Sequence, residues 1–251
     1  MNAVTQKKAM EEKTIDSILS VKQLEEFQSR VARYDENNEF FHEDFEVLKS
    51  SGDLIQAVPE ELGGLGLTFA EVCQQQRRLA YYAPADALAV NMHVYGTGVA
   101  ADLWRSGDKS LEWLLREACA GEVFAAGHGE KGNDIPLLNS TCKAERIDGG
   151  YCFTGTKNFG SLGPVWTRLG VDGIDDSDPE NPKIVHAFLS RDADGLEVRP
   201  NGDVLGMRAT QSYDTVLDAV FVPDKYVARV VDAGFGGADL FILAVFIRGP
   251  I

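Results

Sequence analysis

The sequence predicts an α+β protein, a helical half followed by a half built of short antiparallel strands. Three observations carry this. Up to Gly121, apolar residues recur at spacings of three, four and seven, the stripe of amphipathic helices. From Glu122 the period falls to about two, and turn residues punctuate the chain. No long helical insert separates the later strands, which disfavours a doubly wound parallel sheet and favours a compact antiparallel barrel or sandwich.

The totals limit the partners. The chain has 251 residues, 44% hydrophobic and 25% charged, with a formal net charge of −15. That acidity argues against nucleic acid or an anionic membrane as a partner. No two of Cys73, Cys119, Cys142 and Cys152 have a C-x-x-C spacing, so reduced thiols are expected, with no metal site and no disulfide framework. The first residues carry no apolar signal core, and no apolar run has membrane-spanning length, so the expectation is a cytoplasmic protein.

The helical half starts with a stripe of Ile15, Ile18, Leu19, Leu24, Phe27, Val31 and Tyr34, predicting a helix over 15–34. A second is expected over 38–50, with Phe41, Phe45 and Leu48 on one face and Gly52 ending it. The run Gly63-Gly64-Leu65-Gly66 lacks a preceding strand and a Walker lysine, so it reads as a sharp connector and not a phosphate loop. Thr68 and Glu71 form a capping box that starts a helix to about Tyr82. Pro84 suits the first turn of a small-residue helix over 85–105. Asp108 is a candidate cap for a last helix that buries Leu111, Leu114, Leu115 and Ala118. His93, in the small-residue helix, reads either as a packed histidine or as a pocket-lining group able to bond substrate.

Strands are expected over 123–126, 139–147, 150–154, 164–171, 184–189, 195–199 and 213–222. Asp148-Gly149 is a hairpin turn signal. The aspartate-rich 172–183 stretch reads as a loop, and His186 as a core histidine. In the last strand Leu217, Ala219 and Phe221 are expected on one face, with Pro223 stopping the ladder. Between residues 121 and 161, glycines, one aromatic and one hydroxyl gather at the helix-to-strand junction, a way to bring backbone amides against a flat, polar-edged cofactor. A very apolar helix is expected from Ala238 to Ile247, and its lack of partners suggests a missing third part.

Four motifs, in order and with matching spacing, resemble the acyl-CoA dehydrogenase superfamily over roughly residues 15–246. They are the 58–67 connector, the Glu130-Lys131-Gly132-Asn133-Asp134 loop, the 148–161 hairpin and strand end, and the 205–224 segment around Met207-Arg208. Lys131 stands where the family usually has proline. The resemblance implies a disordered tail at 1–14, an N-terminal helical domain at 15–121 and a middle β-domain at 122–232. Residues 233–251 would be the truncated first helix of a C-terminal helical domain. It implies FAD as cofactor, an acyl-CoA or other small-molecule substrate, and a homo-oligomeric full-length form.

Carried over by position, the resemblance makes Phe124, Ala126, His128, Gly129, Phe159, Gly160 and Ser161 the flavin-facing residues. Phe159 would cover one ring face and Ser161 would bond near N5. Gly129 replaces a hydroxyl residue, so that contact falls to backbone N–H. Asn133 and His93 are the substrate-side candidates. The catalytic base is expected in the missing C-terminal domain, so none is assigned, and the chain is expected to be a fragment with weak flavin binding and little activity. Two alternatives stand beside dehydrogenation. One is a flavin monooxygenase in which Ser161 and His93 assist; the other is a non-catalytic interaction module using apolar surface at 240–246.

Overall fold

The computed structural model describes residues 18–132 and 139–234. The expected tail at 1–14, Asn133 and the apolar segment beyond Ala238 lie outside them. The first helix, α1 (Val21–Glu36), starts from a capping box of Ser20 and Gln23 and buries Leu24, Phe27 and Tyr34. Helix α2 (His42–Ser51) ends at Gly52, whose φ of 87° and N–H bonds to the Leu48 and Lys49 carbonyls make the left-handed stop. In the glycine connector, a Cβ on Gly64 would lie 2.1 Å from the Val58 carbonyl oxygen, so close backbone packing requires that glycine.

Helix α3 (Phe69–Tyr82) carries the Thr68/Glu71 box, and α4 (Pro84–Arg105) has its proline in the first turn and is buried along most of its length. Helix α5 (Glu112–Cys119) is capped differently from expectation. Asp108 accepts the Ser110 N–H and pairs with Arg229, and Leu111 occupies the cap position. No helix among the described residues is long and apolar enough to cross a membrane.

Among the described residues eight strands follow: β1 (Phe124–Gly127), β2 (Lys143–Ile147), β3 (Gly150–Gly160), β4 (Arg168–Asp175), β5 (Lys183–Ser190), β6 (Leu196–Arg199), β7 (Tyr213–Pro223) and β8 (Val227–Asp232). Their order is β6-β7-β3-β2-β4-β5-β8, mostly antiparallel, and β1 pairs with β4 in parallel. The expected strand-then-turn half is therefore present. β4 runs on to Asp175 where a loop was expected from Asp172, and β8 is an addition. One face of the sheet buries Phe153, Leu169, Val171, Val185, Leu217 and Val220. Aromatic rings fill the seam with the helices: Trp113 of α5 packs on Phe124, Phe188 and Tyr226.

Two bulges interrupt the β3–β7 ladder. Phe153 pairs Val220 but Gly155 pairs Leu217, so β7 carries an extra residue there, where Ala219 has φ 51°. This overturns the expected common face of Leu217, Ala219 and Phe221. Leu217 is buried, Phe221 is 44% exposed, and Val220 and Val222 take the core positions, because an extra residue flips the alternation. Nearer the end of β3, Lys157 pairs Thr215 and Gly160 pairs Tyr213, so here the extra residue is in β3.

Candidate functional site

The β3 bulge contains Phe159. Tyr151, Phe153 and Lys157 alternate inward along β3, and a regular strand would send Phe159 inward too. Instead Phe159 has φ 62°, a left-handed value costly for an aromatic residue, and its ring is 60% exposed. Gly129 lies beside it: the Asn158 N–H donates to the Gly129 carbonyl at 2.8 Å. A Cβ on Gly129 would meet the Asn158 oxygen at 2.9 Å and Phe159 Cδ2 at 4.0 Å. A Cβ on Gly160 would lie 3.9 Å from the Ala126 oxygen. The ends of β1 and β3 thus bring Ala126, Gly129, Phe159 and Gly160 into one wall, lined mostly by backbone and one exposed ring, with Ser161 next in the chain.

Ser161 is buried, and its Oγ lies 2.8 Å from Ser212 Oγ, which lies 2.8 Å from Thr210 Oγ1. Thr210 donates to the Met207 carbonyl at 2.8 Å. This hydroxyl chain joins residues some fifty positions apart in sequence. No local pattern announces it.

Behind the wall is a buried charge cluster. Lys157 Nζ lies 2.6 Å from Glu130 Oε1 and 3.4 Å from Asp172 Oδ2. Glu130 also accepts from the Ser140 hydroxyl, from the Thr141 N–H at 2.7 Å and from the Thr141 hydroxyl. Burial alone pushes the Glu130 carboxyl up, but the bonds from Lys157, Ser140 and Thr141 outweigh it and hold the pKa at about 2. Asp172 is likewise held low: burial pushes it up, and Lys157 and His128 together outweigh that. Lys157 is raised despite burial, by Asp172, Cys142 and Glu130. Lys157 lies beyond the strand expected over 150–154, so its inward position on β3, and with it the need of a buried lysine for carboxylate partners, emerges only from the structure.

The remaining candidates lie off the wall. His128 stands between Asp172 and Tyr95, with Nδ1 2.8 Å from Asp172 Oδ1 and Nε2 3.2 Å from the Tyr95 hydroxyl. Its side chain is a quarter exposed. Phe124 is 1% exposed, with its ring against Phe188 and Trp113, so it is an anchor under the helices and presents no face to the wall. His93 is fully buried. Its Nδ1 accepts the Phe124 N–H at 2.9 Å, so its Nε2 carries the proton given to the Leu54 carbonyl at 2.9 Å. Burial pushes its pKa down to about 4, and with both nitrogens held by backbone it ties β1 to α4 and cannot reach a substrate.

Residues 21–121 match the family model described as acyl-CoA dehydrogenase, N-terminal domain. The chain is 27% identical over 222 residues to a mitochondrial isovaleryl-CoA dehydrogenase of Solanum tuberosum, covering 84% of this chain and 53% of that protein. It is 28% identical over 205 residues to a dibenzothiophene monooxygenase of Mycolicibacterium goodii, covering 81% of this chain and 49% of the relative. The solved structure of KijD3 with FMN and a dTDP-linked amino keto sugar superposes with a TM-score of 0.77 at 24% identity, over 95% of this chain and 61% of that one. The chain spans about half the length of these curated relatives.

Proposed function

The chain belongs to the acyl-CoA dehydrogenase superfamily, and from that premise we propose that it is a flavin-dependent oxidoreductase whose β-layer supplies one wall of the flavin site. The observation that carries this is Phe159, a large ring held outward in a left-handed conformation, 60% exposed, beside two glycines and a buried serine. Exposing such a ring forgoes about 1.5–3 kcal/mol of burial, and the backbone strain adds roughly 1–3 kcal/mol. A planar ligand stacked on Phe159 would offset both.

The residues fit an isoalloxazine ring. Ala126, Gly129 and Gly160 leave room for its edge, Phe159 offers a face, and Ser161 offers a hydroxyl. A bound flavin supplies a two-electron acceptor and donor. The wall orients that ring and excludes water from one side of it. Glu130, ionised and bonded on both oxygens behind the wall, is a poor proton acceptor. The base for α-proton removal is therefore not drawn from this cluster.

The family reading favours FAD and the α,β-dehydrogenation of an acyl-CoA thioester. A second reading, flavin-dependent oxygenation of another small molecule, is supported by the monooxygenase relative, 28% identical against 27% for the dehydrogenase, and by FMN in the KijD3 structure. Titrating the purified chain with FAD and with FMN, followed by flavin fluorescence, tests the wall. Saturable quenching is expected, and none would overturn the proposal. Anaerobic bleaching of the bound flavin by acyl-CoA thioesters would support dehydrogenation. Oxygen consumption that needs externally reduced flavin would support the second reading.

A further inference from the structure

We infer that Ser212 and Thr210 are positioning residues for the Ser161 hydroxyl, forming a chain anchored on the Met207 carbonyl that keeps the Ser161 oxygen an acceptor and so favours the reduced flavin. The inference rests on the flavin reading of the wall and extends it to residues on the turn before β7. The three hydroxyls are spaced at 2.8 Å and end on the Met207 carbonyl at 2.8 Å. Each hydroxyl has one proton to give and room to accept one.

The Met207 end fixes the direction of the chain. Thr210 gives its hydroxyl proton to the Met207 carbonyl, which also accepts the Thr210 N–H at 3.0 Å, so Ser212 donates to Thr210 and Ser161 to Ser212. This leaves the Ser161 oxygen as an acceptor towards the ligand. An oxidised flavin presents a lone pair at N5 and a reduced one an N–H, so the chain favours the reduced form without leaving an O–H unpaired. A solitary serine as buried as Ser161, at 6% exposure, would strand its own proton when it accepts.

The segment that carries the chain is held under strain. Met207 and Gln211, on either side of the Arg208–Thr210 turn, have φ of 56° and 46°. Gln211 Nε2 donates to the side chain and the carbonyl of Asn38, at 2.8 and 3.0 Å, and Tyr213 donates its hydroxyl to Gln211 Oε1. The Arg208 N–H reaches Asp35 Oδ1 at 3.4 Å. The end of α1 and the loop after it thus clamp the turn from the helical side. Strained residues that persist only because several contacts fix them are a mark of functional geometry.

The test compares wild type, Ser212→Ala and Ser212→Thr, each with bound flavin, measuring dissociation constants for oxidised and reduced flavin and the midpoint potential. Ser212→Ala is expected to weaken the reduced form about tenfold more than the oxidised form. For a two-electron couple this moves the potential about 30 mV more negative. Ser212→Thr, which keeps the hydroxyl, is expected to restore the wild-type potential. Equal weakening of both forms, or a potential unmoved by Ser212→Ala, would overturn the inference while leaving the flavin wall intact. A wild type that takes up no flavin would overturn both.

Discussion

Lys157 and Phe159 stand two residues apart on β3, and the fold treats them in opposite ways. Lys157 is a charged side chain driven fully inside, where Glu130, Asp172 and Ser140 answer its ammonium. Phe159 is an apolar ring turned outside at the cost of a left-handed backbone. The first region has its polar groups paired and holds the sheet together. The second carries strain and exposed apolar surface that nothing in the described chain relieves. Paired charge and unrelieved strain are thus separated over a very short length of one strand, and the bulge is the device that separates them.

The largest expected effect strikes the first region. Lys157→Met leaves two buried carboxylates without their cation and should cost about 3–5 kcal/mol, read as a lowered urea midpoint. A loss under about 1 kcal/mol would mean that water reaches the cluster. Acid comes next. Glu130 has a folded pKa of about 2, below its ordinary value of 4.5. Its contribution is complete above about 4.5 and is lost as the pH falls towards 2, and Asp172 acts in the same direction. Glu130→Gln should flatten this limb of a stability-versus-pH curve; an unchanged slope would assign the acid sensitivity elsewhere.

The smallest effect has the opposite sign and belongs to the second region. Phe159→Gly removes the left-handed strain and should leave stability equal or raise it by about 1 kcal/mol. Flavin affinity should fall roughly tenfold with the lost stacking. Thermal melting and flavin titration on the same samples check the pair of outcomes. Loss of stability together with affinity would make Phe159 a packing residue and erase the contrast between the two regions.

The helical half was readable from local chemistry, because Thr68 with Glu71, Pro84 and Gly52 each act within a turn of their own position. The strand half was readable in period but not in register. Leu217, Ala219 and Phe221 alternate in the sequence, yet the extra residue in β7 inverts that alternation midway, and nothing local signals it. Among the site candidates, Ala126, Gly129, Phe159 and Gly160 lie close together, and Ser161 follows Gly160 in the chain. His93 and Phe124 do not join them, because each is consumed in fastening β1 to α4, a tertiary demand with no sequence spacing of its own. The partners of Ser161 and Lys157 lie too far along the chain for any local pattern to expose.

The two bulges also form a balanced pair. Gly150 pairs Pro223 and Gly160 pairs Tyr213, so the residue gained by β7 near Ala219 is returned by β3 at Phe159, and the ladder ends in the register in which it began. Insertions and deletions in these two strands are consequently tied together. Removing Ala219 alone would slide the 155–157 segment against β7 and leave the β3 bulge without its counterweight. Removing one residue from each strand, Asn158 from β3, would give a regular ladder that still closes, with Phe159 directly after Lys157 and so on the opposite face without a left-handed backbone. A lineage that keeps the outward ring must keep both irregularities or neither.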